Sequence, residues 1–281
     1  MSLPRVSIVI TTYAIGSFPY FSLCMESIRR LNYPKDKLDV IICCHKQQFH
    51  SYSKDYFKDF KVVSPILAEY GNSEGLNFGI SHAAEGSEYY FILNDDVILT
   101  TDSLLNLVNK ASDGAIMMPI SPCDNYRQYS LCMGFEIEGG YKILEKQFYR
   151  LPELKDFTNE MMAAKSVYPA GLLVMPQLCM FATLIPKAVW QKLGPLDENF
   201  KTGPDDIDYS IRANQAGIKL LVAIDSLVWH FGGVTADDTI SVARRKKNLE
   251  YFKKKWGYFP PGIPDNILET LDESYKYGSN K

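Results

Sequence analysis

Residues Tyr89 to Leu99 read YYFILNDDVIL, and the fold turns on how this stretch is interpreted. The run Tyr89 to Leu93, aromatic and apolar, has the composition of a buried strand. It stops at Asn94-Asp95-Asp96, and apolar character resumes at Val97. Adjacent carboxylates repel, and removing them from water costs several kcal/mol each unless a positive group joins them. Acidic residues after a strand are also ordinary turn formers, so the pair alone leaves both readings open. The neighbours decide, because in open α/β sheets a ligand sits beyond the carboxyl ends of the strands.

Upstream, Arg5 to Thr11 (RVSIVIT) is a β-branched run, followed by Phe21, Cys24, Ile28 and Leu31 at helical spacing behind Ser17-Phe18-Pro19. Leu38 to Cys44 and Lys61 to Ser64 are further strands, and Ser73 to Ala84 and Thr101 to Lys110 are helices. This alternation predicts βαβ units and a mainly parallel sheet up to about residue 112. Beyond it the pattern is mixed. Phe135 to Phe148 reads as a hairpin about Gly139-Gly140, Cys179 to Ile185 as a strand, Lys187 to Leu193 as a helix, and Asp206 to Ala216 as a helix ended by Gly217. Lys219 to Ala223 and Ser226 to Trp229 are two strands, and Ala236 to Trp256 a long helix before a break at Phe259-Pro260-Pro261 and a short terminal helix.

A chain of 281 residues with 46% hydrophobic and 22% charged residues is an ordinary globular protein, and a net charge of −3 speaks against one built around nucleic acid. The N-terminus lacks the basic head and long apolar stretch of an export signal, which points to the cytoplasm. The longest apolar region, Gly171 to Pro186, is interrupted by Pro176 and Gln177 and is too short for a membrane span. Six cysteines without CxxC or finger spacing suit a reducing interior.

Two more stretches carry chemistry. In GPDDIDYSIRANQAG (Gly203 to Gly217) acidic residues at a helix start are favoured by the macrodipole. Three carboxylates in four positions, Asp205, Asp206 and Asp208, exceed what a cap requires, and one facing a cleft would serve as a general base. In LVWHFGG (Leu227 to Gly233) a lone histidine is usually structural, but Gly232-Gly233 permits close backbone approach to a ligand. Trp229 is either core or an exposed aromatic platform. The basic run ARRKKNLEYFKKKWG (Ala243 to Gly257) is foremost a solvated helix face with Leu249, Phe252 and Trp256 inward. Its alternatives are an anionic acceptor, a membrane surface or a phosphate backbone.

In order and spacing, these stretches resemble a family 2 glycosyltransferase of the GT-A fold, from Val6 to Trp256. The matching elements are VSIVITTY (Val6 to Tyr13), GNSEGLNFGI (Gly71 to Ile80), ILNDDV (Ile92 to Val97), CMFATLIPKAVWQKLGPLDENF (Cys179 to Phe200), GPDDIDYSIRANQAG and WHFGG. The resemblance implies a Rossmann-like, mainly parallel sheet with a mixed acceptor-side half and a C-terminal helical tail. Residues 1–235 would form the GT-A domain, its donor-binding half 1–112 and acceptor half 113–235, with 236–281 a helical extension.

The implied activity is metal-dependent, inverting transfer from a nucleotide-diphosphate sugar, a UDP-sugar ahead of a GDP- or dTDP-sugar, to a hydroxyl of a glycan or other acceptor. Asp96 and His230 would ligate Mn²⁺ or Mg²⁺, and Asn94, where the family usually has aspartate, would contact the ribose. Asp95 would lie beside the diphosphate, while Thr11, Thr12, Tyr13 and Asn77 line the nucleotide pocket. Asp206 would be the base and Asp205 would orient base or acceptor, with Trp229 on the acceptor side and 243–255 a candidate membrane contact. Two features depart from the family: Cys43-Cys44-His45-Lys46 replaces the acidic base-gripping turn, which weakens the case for uridine, and Leu76 replaces a basic residue before Asn77. A nucleotidyltransferase would want a Gly-rich basic loop after the first strand, and TTYAIGSF has no basic residue. A silent sugar-nucleotide-binding module would lack acidic or metal positions, yet Asp96, Asp206 and His230 are present.

Overall fold

The structure is a computed structural model that describes residues 2–12, 18–44, 57–64, 71–111, 114–121, 171–177, 179–201, 203–231 and 242–270. Its sheet has nine strands. β1 (Val6–Thr12) lies between β2 (Leu38–Cys44) and the strand from Tyr89 to Asn94, with β3 (Lys61–Val63) beyond β2, and all of these pair in parallel. Every residue of β1 is buried, as a strand covered on both faces must be, which is why VSIVITT reads as a continuous apolar run rather than an alternating one. The Tyr89–Asn94 strand is β4, and the parallel half ends with it.

On the far side of β4 the sheet becomes mixed. After the turn at Asp95-Asp96 the chain forms β5 (Val97–Leu99), and later β6 (Ala115–Ile120), β7 (Leu172–Met175), β8 (Ala182–Pro186) and β9 (Lys219–His230). β8 runs antiparallel to β4 and to β6, β6 pairs in parallel with β9, and β5 and β7 both pair antiparallel with β9. β5, β6 and β7 are not legible in the sequence. β5 has only three residues, β6 contains Pro119, and β7 is the short part of the apolar region ahead of the interruption at Pro176-Gln177, where the sequence reading places no strand.

The two strands expected at Lys219 to Ala223 and Ser226 to Trp229 are one. At Pro119 and Ile120 the register with β6 jumps from Ala223 to Leu227, and β9 then continues beside β5. Asp225, between the two expected strands, is held within the single one: its carboxylate pairs with Lys110, and its carbonyl accepts from Asn106 Nδ2 at 2.8 Å. By this extension β9 carries its last residue, His230, to the carboxyl end of β4.

Helices cover the sheet. α1 (Phe18–Arg29) packs on β5, and α2 (Asn72–Ser81) packs on β1 and β2. The latter approach is close because residue 79 is glycine: a Cβ there would meet Val9 Cγ1 at 2.4 Å. α3 (Ser103–Lys110) lies on β9 and β6, α4 (Lys187–Leu193) on β8, and α5 (Asp205–Gln215) on β9. α6 (Val242–Trp256) and α7 (Ile267–Thr270) share a small core of Leu249, Phe259 and Ile267. The hairpin expected at Phe135 to Phe148, the start of the long helix at Ala236, Tyr13, His45-Lys46 and Gly232-Gly233 lie outside the described residues.

Candidate active site

The site begins where β4 ends. Asp95 and Asp96 are both buried, at 6% and 3% exposure. Thr12, at the carboxyl end of β1, donates from Oγ1 to Asp95 Oδ2 at 2.7 Å. The β5–β9 ladder sets Val97 opposite His230, and the Phe231 N–H donates to the Asp96 carbonyl at 3.1 Å. Two positions far apart in the chain are thereby fixed side by side, with Asp96 Oδ1 3.3 Å from His230 Nε2. Asn94 Nδ2 lies 3.4 Å from the same nitrogen. The imidazole is stacked on Phe181 at 4.6 Å and 15°, and the His230 backbone N–H donates to Ser121 Oγ at 3.1 Å.

This donor set fits a hard divalent cation. Two ligands bonded at about 2.1 Å and at right angles to each other are separated by about 3 Å, close to the Asp96–His230 spacing. The local field has the right sign: burial first, then the Asp95 and Asp96 carboxylates, push the Cys24 thiol well above its ordinary range. Among the described residues no group of three or more His, Cys, Asp or Glu side chains forms a cage. A cation here would complete its shell with oxygens from a ligand or water, as Mg²⁺ and Mn²⁺ do on phosphates.

The second half of the site is the start of α5. Gly71 allows the start of α2 to press on residue 201, since a Cβ would lie 2.2 Å from the Lys201 carbonyl oxygen. The Asn72 N–H donates to that carbonyl at 2.7 Å, and Lys201 pairs with Glu74. Asp205 is held in the resulting corner: Ser73 Oγ donates to its Oδ2 at 3.0 Å, the Gly203 N–H to its Oδ1 at 2.9 Å, and the Asn72 side chain also bonds to it. Asn72 Oδ1 in turn accepts from Thr11 Oγ1 at 2.6 Å, and Thr11 is the ladder partner of Asn94. A continuous run of contacts therefore joins the acidic motif to the NDD motif through the carboxyl end of β1.

The three carboxylates of the acidic motif have different surroundings. Asp205 is buried, and burial raises its pKa against its hydrogen bonds. Asp206 is half-buried, its Oδ1 accepts from the adjacent Ile207 N–H at 2.8 Å, and burial followed by the Asp205 charge pushes its pKa up to about 7 against this bond and one from its own backbone N–H. Asp208 is fully buried and structural: Arg212 Nε, Lys255 Nζ and Trp256 Nε1 reach it at 3.0, 2.6 and 3.0 Å. A carboxyl group with a pKa near neutrality is suited to exchanging a proton with a hydroxyl, which singles out Asp206.

Three sequence expectations change at this point. Trp229 is buried at 6% exposure in the main core with its ring edge-on to Phe231, so it is no exposed platform; neighbours along a strand face opposite sides, and His230 took the cleft side. Asn77 holds a loop rather than lining a pocket: Nδ2 donates to the Leu196 carbonyl and Glu198 Oε1, both at 2.9 Å, and Oδ1 accepts from the Leu196 N–H at 3.0 Å. The basic run is not simply a solvated face, because Arg245 is buried and Lys255 is paired with Asp197 and Asp208. Sequence reading did not find Asn72, Ser73, Ser121 or Phe181, whose partners lie far along the chain. The Asp208–Arg212 pair had a signal in its i, i+4 spacing.

Comparison with known proteins bears on the fold and the family. The chain is similar over 96% of its length, and 69% of the other's, to the mannosyltransferase PcManGT from Pyrobaculum calidifontis in complex with GDP-Man and Mn2+, with a TM-score of 0.57 and 17% identity. At that identity the likeness is one of fold, a GT-A-like mixed α/β sheet. A stretch of 107 residues, 35% of this chain, is 29% identical to procollagen-lysine,2-oxoglutarate 5-dioxygenase 1 of Bos taurus, and the chain spans 15% of that protein's length. Among the described residues no helix is long and apolar enough to cross a membrane. The family model described as "Glycosyltransferase like family 2" matches residues 4–252, nearly the whole chain, and the protein belongs to that family of glycosyltransferases.

Proposed function

We propose that this protein is a divalent-cation-dependent, inverting glycosyltransferase that moves a sugar from a nucleotide-diphosphate donor to a hydroxyl of a glycan or other acceptor. One observation carries the reading: the 3.3 Å approach of Asp96 Oδ1 to His230 Nε2 at the carboxyl end of β4, joined through Thr11 and Asn72 to the acidic motif. Asp96 and His230 would hold the cation, and Asn94 is placed beside them to meet the donor. When bound, a divalent cation supplies Lewis-acid stabilisation of the charge that gathers on a departing nucleoside diphosphate. Asp206 accepts the proton of the acceptor hydroxyl as its oxygen bonds to the anomeric carbon. The bond to the diphosphate oxygen breaks from the opposite side, its electron pair leaves with the nucleotide, and the configuration inverts. Asp205, fixed by Ser73, Asn72 and Gly203, orients the base.

The nucleotide is left to experiment, since the base-gripping turn from His45 onward lies outside the described residues and the expected preference for uridine has no support in those described. Melting the wild-type protein with GDP, UDP or dTDP, with and without Mn²⁺, tests both points. A fitting nucleotide at about a hundred times its Kd stabilises by roughly 2.7 kcal/mol. The shift should require Mn²⁺ and vanish in Asp96→Ala and His230→Ala; a full shift in chelator would sink the cation assignment. A membrane contact through 243–255 now rests on the exposed Lys247, Lys253 and Lys254. It is checked by co-sedimentation with anionic vesicles, which Glu at these three positions should abolish.

A further inference from the structure

The mechanism above uses the start of α5 but not the helix that lies across it. α6 grips the acidic motif at two points. Asn248 Nδ2 donates to the Gly203 carbonyl at 2.7 Å, just ahead of Asp205. One helical span later, Lys255 Nζ and Trp256 Nε1 reach Asp208 Oδ1 at 2.6 and 3.0 Å, just behind Asp206. Lys255 also bridges to Asp197 Oδ2 at 2.6 Å, which accepts from Tyr251 OH at 2.9 Å. The same loop is held from its other side by Asn77. Asp205 and Asp206 are bracketed between these fixed points.

Stability does not require so many polar contacts. Phe252 is fully buried with its ring against Phe200 and already docks α6 through apolar packing. Asp208 is fully buried while Lys255 keeps access to solvent, and an ion pair with one partner so exposed adds little net stability, but it holds its partners in one geometry. A base displaced by about 1 Å can lose about a hundredfold in rate.

We infer that the carboxyl end of α6 is a positioning element for the base, with Lys255 the positioning residue: by clamping Asp208 to the Asp197 loop it fixes the first turn of α5 and so the Asp206 carboxylate. The inference rests on the assignment of Asp206 as base. Lys255 reaches Asp208 and Asp197, and its effect runs through Asp208.

The test uses the full chain with Lys255→Met, Lys255→Arg, and Trp256→Phe, which removes the indole N–H together with part of the ring and gives a second, independent loosening of Asp208 in case the methionine variant misfolds. Turnover is measured as Mn²⁺-dependent release of nucleoside diphosphate from GDP-mannose and UDP-glucose with water as acceptor, alongside calorimetric Kd for GDP and UDP and amide hydrogen exchange. Lys255→Met should lower kcat about 10- to 100-fold with donor KM and nucleotide Kd within about twofold. Trp256→Phe should lower kcat several-fold, and Lys255→Arg should restore it to within about threefold of wild type. Exchange at amides 205–210 should quicken about tenfold in Lys255→Met and hold in β1 and β4.

An unchanged kcat in Lys255→Met overturns the inference, as does a fall matched by lost nucleotide affinity and not recovered by arginine. Should Asp206→Asn keep the wild-type rate, it is the assignment of Asp206 as base that fails; should wild type release nothing from either donor, turnover says nothing of the clamp. The exchange data then decide alone: unaltered protection at 205–210 rejects the clamp, and selective loss there upholds it.

Discussion

Asp206 is a carboxyl group at odds with its surroundings, and that conflict can be measured. Its folded pKa of about 7 lies above the unfolded value near 3.9. The folded state therefore binds the proton more tightly, and the contribution to stability is full below about pH 4 and is lost as pH rises through 7. Asp206→Asn removes a charge the fold resists, so its melting temperature should exceed that of wild type by a few degrees at pH 8 and match it at pH 4 to 5. The same variant should lose at least a hundredfold in transfer rate, and the wild-type rate should rise with pH along a limb centred near 7. Stability gained at pH 8 with activity intact would remove Asp206 from the chemistry. Asp197 titrates the other way: burial alone would raise it, but bonds from Lys255, Asn199 and Tyr251 hold it at about 2. Its contribution is present above about pH 4 and fades as pH falls toward 2, so Asp197→Asn should flatten the loss of urea stability between pH 4 and 2.5.

At the scale of elements, two contacts made by glycines set how α2 meets its neighbours. Gly71→Ala forces a methyl into the Lys201 carbonyl and should push residues 201–205 away from α2, costing about 2 kcal/mol or more in denaturant melts and several-fold or more in transfer rate. Gly79→Ala meets the side chain of Val9 instead; it should lower stability while leaving nucleotide Kd unchanged, and pairing it with Val9→Ala should restore part of the loss. What was legible in the sequence follows the same divide. β2 and α4 appear where the sequence places them, since each is set by a local run. β5 and the extension of β9 were not legible, because a three-residue strand exists only when its partner arrives from the other end of the chain. Asp96, His230 and Asp206 could be singled out because the chemistry proposed for them needs a carboxylate or an imidazole. Asn72, Phe181 and Ser121 could not, being ordinary residues whose importance comes from what folding brings beside them.

For the molecule as a whole, a parallel half and a mixed half meet at β4, and the charged groups collect along that junction. Placing His230 there depends on the slippage in β9 between Ala223 and Leu227, where the strand takes up extra residues against β6 before joining β5. Side chains on a strand alternate sides, so one residue too few in that kink would turn every group beyond it over. The imidazole would be driven into the oily interior and the indole of residue 229 brought out to face the acids. The proposed hold on a dication would thus be a matter of parity, set several residues upstream of any atom that could touch it.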